Sequence, residues 1–195
     1  MADGLSLTSD KLGNVWGGRP VLYVNTEIDD LKQSVVKMIK AGLPVFFGCD
    51  VGQSSDRFSG VMDTALMEYD TAFNIKLGLT KAERLLVGES SMTHAMVITA
   101  VHLDDAGKPV RYKVCSLGHY ASIRRSFYGM QVENSWSEAA GEKGWFVMSD
   151  DWFEQFVYQV VVPKSIAPKE LVKVFEGEER VVLPAWDPMV CHAYR

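Results

Sequence analysis

Apolar residues recur along this chain in two rhythms. Between Thr26 and Ala41 they return every three or four positions, so that Ile28, Leu31, Val35, Met38 and Ile39 share one face. That spacing predicts an amphipathic helix. Thr26 is placed to cap it, and Asp29 three residues later completes a box-like start. Gly42 and then Pro44 stop it. Val45-Phe46-Phe47-Gly48 follows as a short buried strand, with all three large residues expected in the core. Met62 to Phe73 reads as a second, weaker helix. From His94 to Leu103 the chain is apolar and rich in β-branched residues, which predicts a strand. Asp104-Asp105-Ala106-Gly107-Lys108-Pro109 makes a hairpin loop, and Val110 to Val114 returns as the partner strand. Gly144 to Met148 is a third strand. Ser149 or Asp150 caps a short helix through Phe156. Val157 to Val162 is another strand, ended by Pro163, and Lys169 to Phe175 is one more helix. Val181 to Pro188 is extended, and residues 1–15 are polar and turn-rich, as in a loop. An antiparallel sheet late in the chain with helices earlier predicts an α+β fold.

Composition narrows the class. A chain of 195 residues suits one domain, and 47% apolar with 23% charged residues is a globular balance. The net charge of -5 argues against nucleic acid or an anionic membrane surface as partner. The densest basic spot is the doublet Arg124-Arg125. No apolar run approaches the roughly 20 residues that span a bilayer. Met1-Ala2-Asp3-Gly4 has neither a basic n-region nor an apolar h-region, so no secretory signal is expected. The three cysteines are odd in number and widely spaced, which suits free thiols in a reducing compartment. A cytoplasmic protein is the expectation.

Candidate chemistry centres on two short stretches, Met92-Thr93-His94-Ala95-Met96 and Glu133-Asn134-Ser135-Trp136. The first sets a histidine at the mouth of a buried strand. The second sets an asparagine at a strand-to-loop turn. An asparagine oxygen can accept one ring N–H of a histidine and orient it without adding charge. An indole over that bond excludes water and keeps it strong. These are the parts of the base half of a Cys-His-Asn site. Taken singly, each has a plainer reading: a satisfied structural histidine and an ordinary turn. Their order along the chain, with a glycine-led strand after the tryptophan, favours the site.

Other groups read as structure. Cys49 follows a buried strand without a glutamine or a capping helix around it. Cys115 and His119, taken with His94 and His102, match no strong zinc spacing, so no metal site is expected. Cys191 and His192 read as exposed, and Glu176-Gly177-Glu178-Glu179-Arg180 as a solvated loop.

The chain resembles the papain-like cysteine peptidases, and among them the bleomycin hydrolase family. The resemblance rests on Gly48-Cys49-Asp50-Val51-Gly52, Met92-Thr93-His94-Ala95-Met96, Val132-Glu133-Asn134-Ser135-Trp136 and Val182-Leu183-Pro184-Ala185-Trp186-Asp187-Pro188-Met189. It runs from about Asn14 to Met189 and matches the C-terminal, β-rich half of the papain-like fold. The resemblance implies His94 as general base and acid, Asn134 as its orienting partner and Trp136 as the shield. It implies a cysteine-type aminopeptidase that hydrolyses peptides and peptide-like amides through a thioester, without a cofactor, in a homohexamer. The nucleophilic cysteine and the helical half that carries it lie upstream in the family and are absent here. The chain alone is therefore expected to be inactive and to expose apolar surface. The alternative is a truncated isoform that acts only as a binding or assembly module.

Three features depart from the family pattern. Residues 115–131 read as an insertion in the hairpin that positions Asn134, expected as an exposed loop. Ser137 stands where the family has glycine after Asn-Ser-Trp. The tail through Arg195 lacks the family's small residues, which bears on restriction to amino termini.

Overall fold

A computed structural model describes residues 4–9, 17–18, 20–115 and 138–189. Its main sheet has seven strands in the order β4-β5-β8-β7-β6-β3-β9. The hairpin at its centre is the one the hydrophobic pattern predicts. β6 (His94–Leu103) pairs antiparallel with β7 (Pro109–Cys115), with Ile98 opposite Val114 and Val101 opposite Tyr112. β3 (Val45–Cys49) lies on the other side of β6, and β8 (Trp145–Ser149) lies beyond β7. β9 (Val157–Val160) closes one edge on β3, and the short pair β4 (Ser55–Asp56) and β5 (Val61–Met62) extends the other.

The sheet is mixed rather than wholly antiparallel, because β5 runs parallel to β8 with Val61 opposite Val147. The close approach there depends on Gly60, at φ +71, where an added Cβ would lie 2.7 Å from the Trp145 carbonyl oxygen. Strand alternation also corrects the expected core. Val45 and Phe47 are buried, but Phe46 points to the opposite face and is 42% exposed.

Among the described residues, two helices cover the core. In α1 (Ile28–Lys40), Val35 and Met38 are buried against the sheet. Thr26 does not cap it. The helix begins one residue later than that role requires, so Glu27 takes the cap position and Thr26 Oγ1 donates to Asp30 at 2.6 Å. Lys32 shares the buried face because α4 (Asp150–Phe156) meets it with acid: its Nζ lies 2.7 Å from Asp150 and 3.0 Å from Glu154. The other Asp150 oxygen accepts from the Tyr112 hydroxyl at 2.8 Å, so one carboxylate ties helix to helix and helix to sheet. Ser149 caps α4 as expected, accepting from Trp152 N–H at 3.3 Å. Trp152, Phe153 and Phe156 enter the core with Met96, Phe146 and Met148.

The expected helix over Met62 to Phe73 forms only at its end. Met62 belongs to β5, Thr64–Leu66 is a 3-10 turn capped by Asp63, and α2 covers Tyr69–Phe73 alone. A real helix lies further on. α3 (Lys81–Leu86) opens on a reciprocal capping box between Thr80 and Glu83, a Thr-x-x-Glu signal present in the sequence and left unread there. α3 is held to α4 by cations on the C-terminal carbonyls of α4. Lys81 Nζ donates to Glu154 O at 2.8 Å and Val157 O at 2.5 Å, and Arg84 donates to Gln155 O at 3.0 Å. This excursion leaves Phe73, Leu77 and Leu86 at 67%, 74% and 86% exposure.

A second sheet joins the two ends of the described chain in the order β10-β1-β2. β1 (Ser6–Ser9), expected as loop, pairs parallel with β10 (Val181–Leu183) and antiparallel with β2 (Leu22–Val24). α5 (Lys169–Glu176) lies between β9 and β10 in the chain. Among the described residues no helix is long and apolar enough to cross a membrane.

Candidate active site

His94 is the first residue of β6 and stands opposite Cys49, the last residue of β3. It shares a strand face with Met96 and Ile98, which are fully buried, and is itself partly buried at the sheet's end. The strand pattern thus carries the imidazole to the rim of the core. β7 runs back toward that rim and ends at Cys115, opposite Val97. The hairpin therefore returns the chain to the His94 end of the sheet. Asn134 and Trp136 themselves lie outside the described residues. So do Ser137, His119, Cys191, His192 and nearly all of the expected insertion over 115–131.

The backbone that delivers His94 is fixed by its neighbours. Thr93 N–H donates to Cys49 O at 2.9 Å, and Met92 N–H donates to Pro188 O at 3.0 Å. The second bond draws the segment after β10 alongside the loop before His94. Gly48 lets that loop lie close. A Cβ there would meet Met92 Sδ at 2.5 Å and Gln159 Cγ at 2.8 Å.

Beneath the loop lies Asp50, only 5% exposed. Its oxygens accept from Ser90 Oγ at 2.8 Å, Ser91 N–H at 3.3 Å and Thr93 Oγ1 at 3.1 Å. Sequence reasoning named Asp50 and Thr93 only as parts of longer motifs, gave neither a role, and did not name Ser90 or Ser91. The available signal was a polar residue directly after a buried strand, facing a Ser-Ser-x-Thr run that leads into another.

Cys49 is near His94 in register yet unsuited to attack. It is fully buried, and burial, with the neighbouring Asp50 charge as a lesser cause, pushes its thiol well above the usual range. A thiol so placed supplies almost no thiolate at neutral pH. Iodoacetamide is expected to leave Cys49 unlabelled in the native chain and to label it on unfolding, as read by peptide mass spectrometry. Native labelling at the rate of an unfolded thiol would contradict this. Of the residues weighed for a metal cluster, His102 is exposed on β6, away from the rim. Among the described residues no group of three His, Cys, Asp or Glu side chains is arranged to hold a metal.

Residues 4–190 match the peptidase C1-like family. Aminopeptidase C of Listeria innocua is 41% identical over 184 residues, which is 94% of this chain and 37% of that protein. Bleomycin hydrolase of Mus musculus is 43% identical over 183 residues, 93% of this chain and 36% of that protein. The crystal structure of PepW from Lactobacillus rhamnosis superposes with a TM-score of 0.83 at 47% identity, covering 97% of this chain and 39% of that one. The chain thus spans well under half the length of these relatives and matches their C-terminal part.

Proposed function

We propose, on the premise that this chain belongs to the peptidase C1-like family, that it is the histidine- and asparagine-bearing part of a cysteine aminopeptidase. Its α+β fold is the β-rich part of a papain-like peptidase. The observation that carries the reading is the placement of His94: partly buried at the rim of the core, on a backbone tied down on both sides, at the sheet end to which the hairpin returns. In this reading the nucleophile comes from the family's upstream part, and Cys49 does not replace it.

The chemistry follows from the parts. His94 takes the thiol proton, and the imidazolium stabilises the thiolate beside it. The thiolate attacks the carbonyl of the amino-terminal residue. The proton then passes from His94 to the leaving amine, and a thioester remains. Water, deprotonated by His94, releases the acid and restores the thiol. Asn134 holds the ring during both proton transfers, and Trp136 keeps water from that bond. The substrates are peptides and peptide-like amides with a free amino terminus. The names aminopeptidase C and bleomycin hydrolase among the relatives support that class.

The same reading places the chain in the cytoplasm as part of a hexamer. The odd, scattered cysteines support a reducing compartment. The exposed apolar residues of the α2–α3 excursion support self-association.

Complementation tests the proposal. The chain is co-expressed with the upstream, nucleophile-bearing part of the Listeria innocua relative, and release of a fluorogenic amino-terminal amide is measured. Each part alone is expected to be inactive, and the pair to show turnover that a thiol inhibitor abolishes. Turnover by the chain alone would overturn the assignment of the nucleophile. Stable association without turnover would leave it an assembly module.

A further inference from the structure

We infer that Asp50 is a positioning residue for His94, its buried carboxylate gathering the loop that delivers the histidine. The inference rests on the reading of His94 as the base, but it stands on separate observations. Three donors converge on one carboxylate from the four residues before His94: Ser90 Oγ at 2.8 Å, Ser91 N–H at 3.3 Å and Thr93 Oγ1 at 3.1 Å. Thr93 Oγ1 also accepts from Val51 N–H at 3.2 Å, and Thr93 N–H donates to Cys49 O. Residues 49–51 and 90–93 are thereby laced together directly ahead of β6.

The lacing continues inward. The Tyr158 hydroxyl lies 2.6 Å from Ser90 Oγ. Ser90 directs its own proton to Asp50, so Tyr158 donates to Ser90. Burial, its largest cause, holds the Tyr158 phenol above its usual range, which keeps it a donor. Asp50 is itself tied to the end of α4, its N–H donating to Phe156 O at 3.0 Å. The chain Tyr158–Ser90–Asp50–Thr93 therefore runs from β9 to the residue next to His94. A carboxylate suits this position because it only accepts, and every side chain turned toward it donates. Burial makes those bonds strong and their loss costly. Base catalysis needs the ring held to a fraction of an ångström, and this network is what fixes the backbone beneath it.

The test compares Asp50→Asn with the unaltered protein in two measurements. In the isolated chain, Asp50→Asn is expected to raise hydrogen exchange at Thr93 N–H about tenfold and to shift and broaden the His94 ring signals. Exchange in β7 and β8 should stay unchanged. In the complemented peptidase, kcat is expected to fall by about 10- to 100-fold with KM unchanged. Thr93→Val, which keeps the shape and removes one donor to Asp50 together with the acceptor of Val51 N–H, should move both readouts the same way and less. It also decides the matter if Asp50→Asn fails to fold. Unchanged Thr93 exchange and His94 signals would overturn the inference, as would acceleration spread evenly over β7 and β8. The first measurement needs no catalysis, so it separates failure of this inference from failure of the proposed activity.

Discussion

His94→Ala in the complemented peptidase is expected to lower kcat/KM by about 10⁴- to 10⁶-fold. The ring acts in every proton transfer of the proposed cycle, and no other described side chain can take its place. His102 faces solvent further along the same strand, and Cys49 is sealed beneath it. Without the imidazolium the thiol reverts toward its ordinary acidity and the leaving amine departs unprotonated. The chain should still fold, because His94 lies at the end of β6 and the pairs from Val97 to Leu103 hold the strand without it. The measurement is steady-state turnover of a fluorogenic aminoacyl amide, with circular dichroism as the check on folding. A folded variant retaining activity within tenfold of the parent would remove His94 from the mechanism.

Trp152→Ala is expected to destabilise the chain by about 3–5 kcal/mol. Trp152 is fully buried on α4 and is the largest of the fully buried side chains among the described residues. Its ring packs on Phe156 at 5.3 Å between centroids. Its Nε1–H donates to Gln53 O at 2.8 Å, which pins the turn after β3 to α4. Truncation opens a cavity and strands that carbonyl, and the two costs add. Domains of this size are held by only about 5–15 kcal/mol in total. The variant should therefore unfold at a much lower urea midpoint or lose its cooperative transition. Trp152→Phe keeps most of the volume and loses the bond, so it should fall between. A midpoint for Trp152→Ala within about 1 kcal/mol of the parent would show that α4 does not seal this core.

Much of this was legible along the chain, and the reason is local. β6 was bounded at His94 and Leu103 because mostly apolar residues, several of them β-branched, run between a polar loop and Asp104. The hairpin to β7, the α4 helix and its Ser149 cap are also written in neighbouring residues. His94 could be placed at a strand mouth for the same cause. What failed were readings that needed a partner from elsewhere. Phe46 looked like core because an apolar run does not say which of its alternate faces is covered. Residues 62–73 had helical apolar content, yet Met62 was captured by β8 through parallel pairing with Met148. β1 was read as loop because its stabilising partner, β10, lies at the far end of the chain.

The sequence by itself determined the class of fold, the central hairpin and the place of His94 at the mouth of a strand. These follow from side-chain periodicity and turn residues, which act over a few positions. Only the tertiary structure decided the parallel seams, the face that Phe46 takes, the seat of α3 on the end of α4, and Asp50 as the anchor beneath His94. Each of those depends on a hydrogen-bond acceptor or a covering surface supplied from a distant part of the chain. A buried carboxylate or a lone short strand is stable only once such partners have arrived.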